Sequence, residues 1–280
     1  MKTIQTSNDM RVWARASRKA GQRLGFVPTM GALHEGHLSL VRAAKAQCDV
    51  VAASIFVNPT QFGPNEDFSK YPRTFERDCE LLENEGVSML FAPTVEEMYP
   101  PRAVTYVTVE GMSEKLCGNS RPGHFRGVTT VVSKLFNIVE PDVAFFGQKD
   151  AAQVAIIRRM VRDLNIPVEI VACPIVRETD GLAMSSRNAY LDPQQRKAAL
   201  VLSRSLKEAQ VLYQQGVRDA QPLIDHSKEM FAQQPSARLD YFEIIHPATL
   251  EPVEKIISPS LVVVAAYLGT TRLIDNIVLG

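Results

Sequence analysis

The chain has 280 residues, with 31 Lys plus Arg against 31 Asp plus Glu and a hydrophobic fraction of 45%. That length suits one large or two modest domains. Zero formal net charge argues against a dominant nucleic-acid or anionic-membrane surface, while leaving room for a local basic pocket that takes a phosphorylated ligand.

Met1 to Ala20 is polar and basic, without the apolar segment of a signal peptide. No apolar run reaches the roughly 18 residues that a membrane span needs. Cys48, Cys79, Cys117 and Cys173 are scattered, with no Cys-x-x-Cys pair. The expectation is a reduced, cytoplasmic protein with buried free thiols. His34 and His37 stand three apart, not at the spacing of four that the zinc-binding His-Glu-x-x-His helix needs.

Along the chain, a first helix begins near Ser7 and ends at Gly21. Arg23 to Pro28 reads as a strand and His37 to Gln47 as a helix. Asp49 to Asn58 is a continuous apolar run, expected of a central parallel strand covered on both faces. A helix over Tyr71 to Gly86 leads into a strand over Val87 to Ala92. Another helix spans His124 to Val139, followed by a strand over Val143 to Phe146. A helix over Asp150 to Leu164 and a strand over Val168 to Ala172 complete the alternation. The pattern predicts a Rossmann-like, doubly wound parallel sheet over residues 1–176.

The style changes over 177–280, which reads as a smaller α+β C-terminal domain. Arg177 to Leu191 is polar and loop-like. Asp192-Pro193-Gln194-Gln195 is a strong helix start, with Asp as N-cap, Pro first inside and Gln third. That helix runs toward Gly216, and a second covers about Asp219 to Gln233. Strand-like runs follow at Leu239 to His246, Leu261 to Leu268 and Arg272 to Ile277.

Several loops carry chemistry. Met30-Gly31-Ala32-Leu33-His34-Glu35-Gly36-His37 sits where a strand becomes a helix. A helix N-terminus offers free N–H groups and partial positive charge to a phosphate, and each imidazole adds a donor. Gly147-Gln148-Lys149-Asp150 occupies a similar junction; Lys149 reaches a phosphate as a point charge, and Asp150 caps the helix or orients the lysine. Met184-Ser185-Ser186-Arg187 joins two hydroxyls to a guanidinium, a set that suits an oxyanion or a solvated linker alike. Gln61, in Asn58-Pro59-Thr60-Gln61-Phe62-Gly63, is a small-ligand contact or part of a plain turn. The arginines and histidine of Arg121-Pro122-Gly123-His124-Phe125-Arg126-Gly127 face phosphates or water.

The His34-x-Gly36-His37 loop and the Met184–Arg187 loop resemble motifs of the nucleotidylyltransferase superfamily. The wording of PTMGALHEGH, FVNPTQF, YPRTFERD, RPGHFRGV, FFGQKD and SSRNAYL is similar to the pantoate–β-alanine ligase (pantothenate synthetase) family, in family order from about residue 27 to 191. The resemblance implies that ATP and pantoate give pantoyl adenylate and pyrophosphate, and that β-alanine then gives pantothenate and AMP. It also implies a magnesium ion and a homodimer, with no nucleic-acid or membrane partner.

On the same resemblance, His37, His34 and Lys149 are catalytic, with His37 the proton donor. Met30 to His37, Gly147 to Asp150, Val176 and Met184 to Arg187 bind ATP. Gln61 and Gln153 bind pantoate, Gln61 also meets β-alanine, and Asp78 is a possible metal contact. Gln148 stands where the family usually has Glu, which implies tuning rather than loss. Competing readings are another nucleotidylyltransferase and a non-catalytic nucleotide sensor.

Overall fold

A computed structural model describes all residues except Asn65 and Ser258. The elements run β1 (Lys2–Ile4), α1 (Ser7–Lys19), β2 (Leu24–Thr29), α2 (Glu35–Lys45), β3 (Val50–Ile55), α3 (Phe75–Asn84) and β4 (Met89–Phe91). Then come α4 (Val95–Met98), α5 (Cys117–Ser120), α6 (His124–Val139), β5 (Val143–Gly147), α7 (Ala151–Asp163) and β6 (Glu169–Cys173). The remainder is α8 (Pro193–Ala198), α9 (Leu200–Gln214), α10 (Ala220–Ala232), β7 (Ala237–Ile245), β8 (Ser260–Leu268) and β9 (Thr271–Leu279).

The chain divides into two compact units. The first holds Met1–Gly147 and Ile156–Cys173; the second holds Gln148–Ala155 and Pro174–Gly280. The division differs from a single cut after Val176. The turn after β5 and the first residues of α7 group with the second unit, so that unit is built from two stretches of chain.

Among the described residues, the first unit carries six strands in the order β1-β4-β3-β2-β5-β6, every pair parallel. This is the doubly wound sheet the alternation predicts. β1 is an addition: three residues in a polar segment carry no pattern of their own, and pairing with β4 makes them a strand. β3 is buried along Val51–Ser54, which is why its sequence is apolar on both faces. Val27, Val41, Leu82, Leu90 and Phe145 pack together with no exposed surface. Fully burying one such side chain contributes about 1.5–3 kcal/mol.

The strand order reverses between β2 and β5. In an open parallel sheet, that reversal leaves a crevice beyond the carboxyl ends of the two strands. β2 ends at Thr29, directly before the histidine loop, and β5 ends at Gly147.

In the second unit, β7, β8 and β9 form an antiparallel sheet in that order. Val262, Val264, Ala266 and Leu268 on β8 join Leu202, Leu206 and Leu223 of α9 and α10 in one core. Asp192 caps α8 through its side chain, accepting the N–H groups of Gln194 and Gln195 at 2.8 Å each. Gln195 returns the bond to the Asp192 N–H at 3.2 Å, completing the expected capping box. The predicted long helix is interrupted near Ala199, where α8 ends and α9 begins.

Candidate active site

In the first unit, Thr29 closes β2 by donating its hydroxyl to the Ser54 carbonyl at 2.7 Å and accepting the Gly31 N–H at 3.2 Å. Gly31 and Ala32 both adopt positive φ, 79° and 50°. Gly31 reaches this region at no steric cost, whereas Ala32 needs support from outside. That support is Asp78, which is 1% exposed on the first turn of α3. Its carboxylate accepts the N–H groups of Ala32 at 2.8 Å and Leu33 at 2.9 Å, and the Thr74 hydroxyl at 3.1 Å.

The histidines cap the helix they open. His34 Nδ1 accepts the Gly36 N–H at 3.1 Å, and His37 Nδ1 accepts the His34 N–H at 3.3 Å. An Nδ1 that accepts cannot carry a proton, so in this arrangement each ring is neutral with its hydrogen on Nε2. The ring centroids are 4.2 Å apart. The two rings thus lie against one another at the head of α2. Leu33, by contrast, is buried with its side chain in the core. The Glu35 carboxylate is paired with Arg42, which also grips Glu85 through Nε at 3.0 and 3.1 Å.

Gln61 lies in the same unit, on the loop after β3. Its Nε2 donates to the Met30 sulfur at 2.9 Å, and its Oε1 accepts from Asn58 Nδ2 at 3.0 Å. Asn58 is 1% exposed; its Nδ2 also donates to the Gly127 carbonyl at 3.1 Å, and its Oδ1 accepts the Tyr99 hydroxyl at 2.8 Å. Burial pushes the Tyr99 phenol up, which keeps it a donor.

In the 121–127 loop, Arg121 and His124 turn toward the protein, whereas Pro122, Gly123 and Arg126 are exposed. Arg121 Nε bonds Glu66 at 2.9 Å, and Nη1 lies 3.1 Å from His124 Nε2. His124 Nδ1 is 2.9 Å from the Gln61 carbonyl. A carbonyl only accepts and a guanidinium only donates, so His124 carries its proton on Nδ1. Burial alone would raise the Glu66 carboxyl, but the Arg121 hydrogen bond and charge outweigh it and hold it low. Asn58, Arg121 and His124 therefore buttress the Gln61 loop, a role with no short-range sequence signal.

In the second unit, Gln148–Asp150 form a 3₁₀ turn before α7. Lys149 Nζ stands 3.8 Å from Asp150 Oδ1, the orienting alternative for Asp150. Gln153 lies on the first turn of α7. Val176 and Met184 face each other across a short hairpin, the Met184 N–H donating to the Val176 carbonyl at 3.0 Å. Ser185 caps the 3₁₀ turn Ser186–Tyr190 by accepting the Arg187 N–H at 3.2 Å. Asn188 then donates to Glu178 at 2.8 Å and to the Ala183 carbonyl at 3.1 Å, which braces the hairpin.

The pantoate-beta-alanine ligase family model matches residues 2–278. This chain belongs to the pantoate–β-alanine ligase family. It is similar to the pantothenate synthetase of Koribacter versatilis (strain Ellin345), 59% identical over 279 residues that cover 100% of this chain and 96% of the relative. Its structure resembles that of pantothenate synthetase from Thermus thermophilus, with a TM-score of 0.94, 47% identity and 99% coverage of both chains. It also resembles the pantoate–β-alanine ligase of Francisella tularensis complexed with beta-gamma ATP and beta-alanine, with a TM-score of 0.81 and 34% identity, covering 99% of this chain and 97% of that one.

As a pantoate–β-alanine ligase, the protein is an enzyme that forms a C–N bond, condensing pantoate with β-alanine at the expense of ATP. Among the described residues, no group of three or more His, Cys, Asp and Glu side chains is placed to hold a metal ion. Asp78 does not fit as a magnesium ligand here, because its two oxygens already accept loop amides and the Thr74 hydroxyl. All four cysteines are free, Cys117 and Cys173 buried, Cys48 and Cys79 half-buried. Among the described residues, no helix is long and apolar enough to cross a membrane.

Proposed function

We propose that this ligase works through pantoyl adenylate, with the paired imidazoles of His34 and His37 as its phosphate donors. The observation that carries this reading is their reciprocal cap, which keeps both Nδ1 atoms on the backbone and leaves Nε2–H as the donor of each ring. The pair lies beyond the carboxyl end of β2, at the strand-order reversal where parallel sheets take ligands.

In the first step, a pantoate carboxylate oxygen attacks the α-phosphorus of ATP. The new O–P bond forms as the bond to the β-phosphate oxygen breaks, and pyrophosphate leaves. Charge accumulates on phosphate oxygens, so fixed donors lower the barrier more than they tighten binding. His37 donates the proton-bearing Nε2 to the α-phosphate, and His34 supports the triphosphate. Lys149 neutralises charge as the transition state forms, while Ser185, Ser186 and Arg187 hold the leaving phosphates. Gly147, Gln148, Asp150, Val176 and Met184 complete the nucleotide contacts. Since Ala32 and Leu33 commit their N–H groups to Asp78, that loop's contribution comes through its imidazoles.

Gln61 and Gln153 orient pantoate. Neutral amides suit this task, because an arginine fork would hold the carboxylate's electrons and blunt the nucleophile. Met30 packs beside Gln61, where it meets the apolar part of the acid. In the second step, the β-alanine amine attacks the acyl carbon near Gln61. The C–N bond forms, the acyl C–O bond breaks, AMP leaves and the amine gives up a proton. A magnesium ion brought in with ATP would neutralise phosphate charge and would need no carboxylate cage from this chain. Free thiols suit the cytoplasm, and the family resemblance supports a homodimer.

ATP–pyrophosphate exchange without β-alanine tests the reading. Exchange that requires pantoate, followed by AMP and pantothenate on adding β-alanine, is the expected result. ATP binding without any pantoate-dependent exchange would favour a nucleotide sensor instead.

A further inference from the structure

Asn276 is 2% exposed, in the middle of β9 and opposite Val263 on β8. Its amide makes three hydrogen bonds to residues more than a hundred positions earlier. Nδ2 donates to the Gln148 carbonyl at 2.9 Å and to the Lys149 carbonyl at 2.9 Å, and Oδ1 accepts from Gln148 Nε2 at 3.2 Å. Two carbonyls on one side of the amide can only accept, so the NH₂ must face them. Both amide hydrogens of Asn276 are spent on the turn that carries Lys149.

The preceding residue does a parallel job. Asp275, 2% exposed, takes Arg177 bidentately, Nη1 to Oδ2 at 2.6 Å and Nη2 to Oδ1 at 2.9 Å. Arg177 also donates to the Gly181 carbonyl at 3.1 Å, inside the Val176–Met184 hairpin. Neighbouring residues of a strand point to opposite faces. Asp275 thus fastens the hairpin before Ser185, and Asn276 fastens the lysine turn.

We infer that Asn276 is a positioning residue for adenylation, setting the place of Lys149 by holding the Gln148 and Lys149 carbonyls. The inference rests on the proposed role of Lys149. Because a charge must meet the developing phosphate charge to within a fraction of an ångström, a turn freed to shift by about 1 Å costs of order 10²-fold in rate. Substrate binding elsewhere on the protein is not touched.

The test is pantoate-dependent ATP–pyrophosphate exchange by the full-length protein and by Asn276→Ala, Asn276→Ser, Lys149→Ala and the Lys149→Ala/Asn276→Ala double variant. Thermal unfolding identifies a temperature at which each is folded. Asn276→Ala should lower kcat about 10- to 100-fold with the ATP KM within about threefold. Asn276→Ser, which restores one donor, should fall between it and the parent. In the Lys149→Ala background, Asn276→Ala should change the rate by less than about twofold, because residues that act as a unit are non-additive. A full, independent loss in that background overturns the inference, as does an Asn276→Ala rate equal to the parent's. A Lys149→Ala rate equal to the parent's instead removes the lysine from the proposed chemistry, a separate and distinguishable result.

Discussion

A Cβ added at Gly31 would lie 3.0 Å from Asp78 Oδ2, the same oxygen that accepts the Ala32 N–H at 2.8 Å. The loop and the carboxylate are fitted to one another: the glycine admits the acid, and the acid holds the positive φ of the next residue. Asp78→Asn turns one acceptor into a donor that faces a backbone N–H. Leaving such a buried group unpaired costs about 1–3 kcal/mol, so the thermal midpoint should fall and exchange should slow with it. The magnesium concentration for half-maximal activity should not move. An increase in that concentration, with stability intact, would make Asp78 a metal ligand after all.

Gln61→Ala removes the amide that bridges Met30 and Asn58. The pantoate KM should rise about tenfold or more, the worth of one or two hydrogen bonds, while ATP binding changes little. Initial-rate kinetics with each substrate varied in turn gives the answer. An unchanged pantoate KM would mean that the acid binds away from this loop.

Gly127 is required by close approach rather than by its backbone angles. A Cβ there would lie 2.3 Å from the Thr60 carbonyl oxygen and 2.6 Å from the Gln61 Cα. Gly127→Ala must push the Gln61 loop off α6, at a cost of about 1–3 kcal/mol. Urea unfolding should show that loss, and the pantoate KM should rise in step. A variant as stable as the parent would show that the loop yields freely and is not pinned by this contact.

The Arg121–Glu66 pair sets an acid limit. The folded protein holds the Glu66 carboxyl below its ordinary value, so the unfolded chain binds more protons in acid. The pair's contribution is fully present above the ordinary carboxylate range and is lost as pH falls through the depressed folded value. Glu66→Gln should therefore lose less stability than the parent between about pH 6 and pH 3. Parallel urea midpoints across that range would show that the pair contributes nothing.

Much of the first unit was legible in one dimension. Strands and helices alternate at their own periods, and β3 declared its central place by an apolar run that only burial on both faces explains. The capping signature at Asp192 needed four consecutive residues, and the structure has it. The histidine loop was legible because its two imidazoles and the helix they cap are neighbours in the chain. β1 was not, since three residues acquire strand character only from a partner 87 positions away.

Sequence alone specifies local features: the periods, the caps and the chemical types of the loops. Only the tertiary contacts show which of those side chains are already committed to other groups of the protein. Asp78 looked available to a metal and instead holds two amides; Arg121 looked available to a phosphate and instead neutralises Glu66. The carbonyls of Gln148 and Lys149 end on Asn276, which lies 127 residues beyond Lys149. The physical reason is common to all three. A buried polar group must find a partner wherever the fold brings one, and sequence spacing carries no record of that meeting.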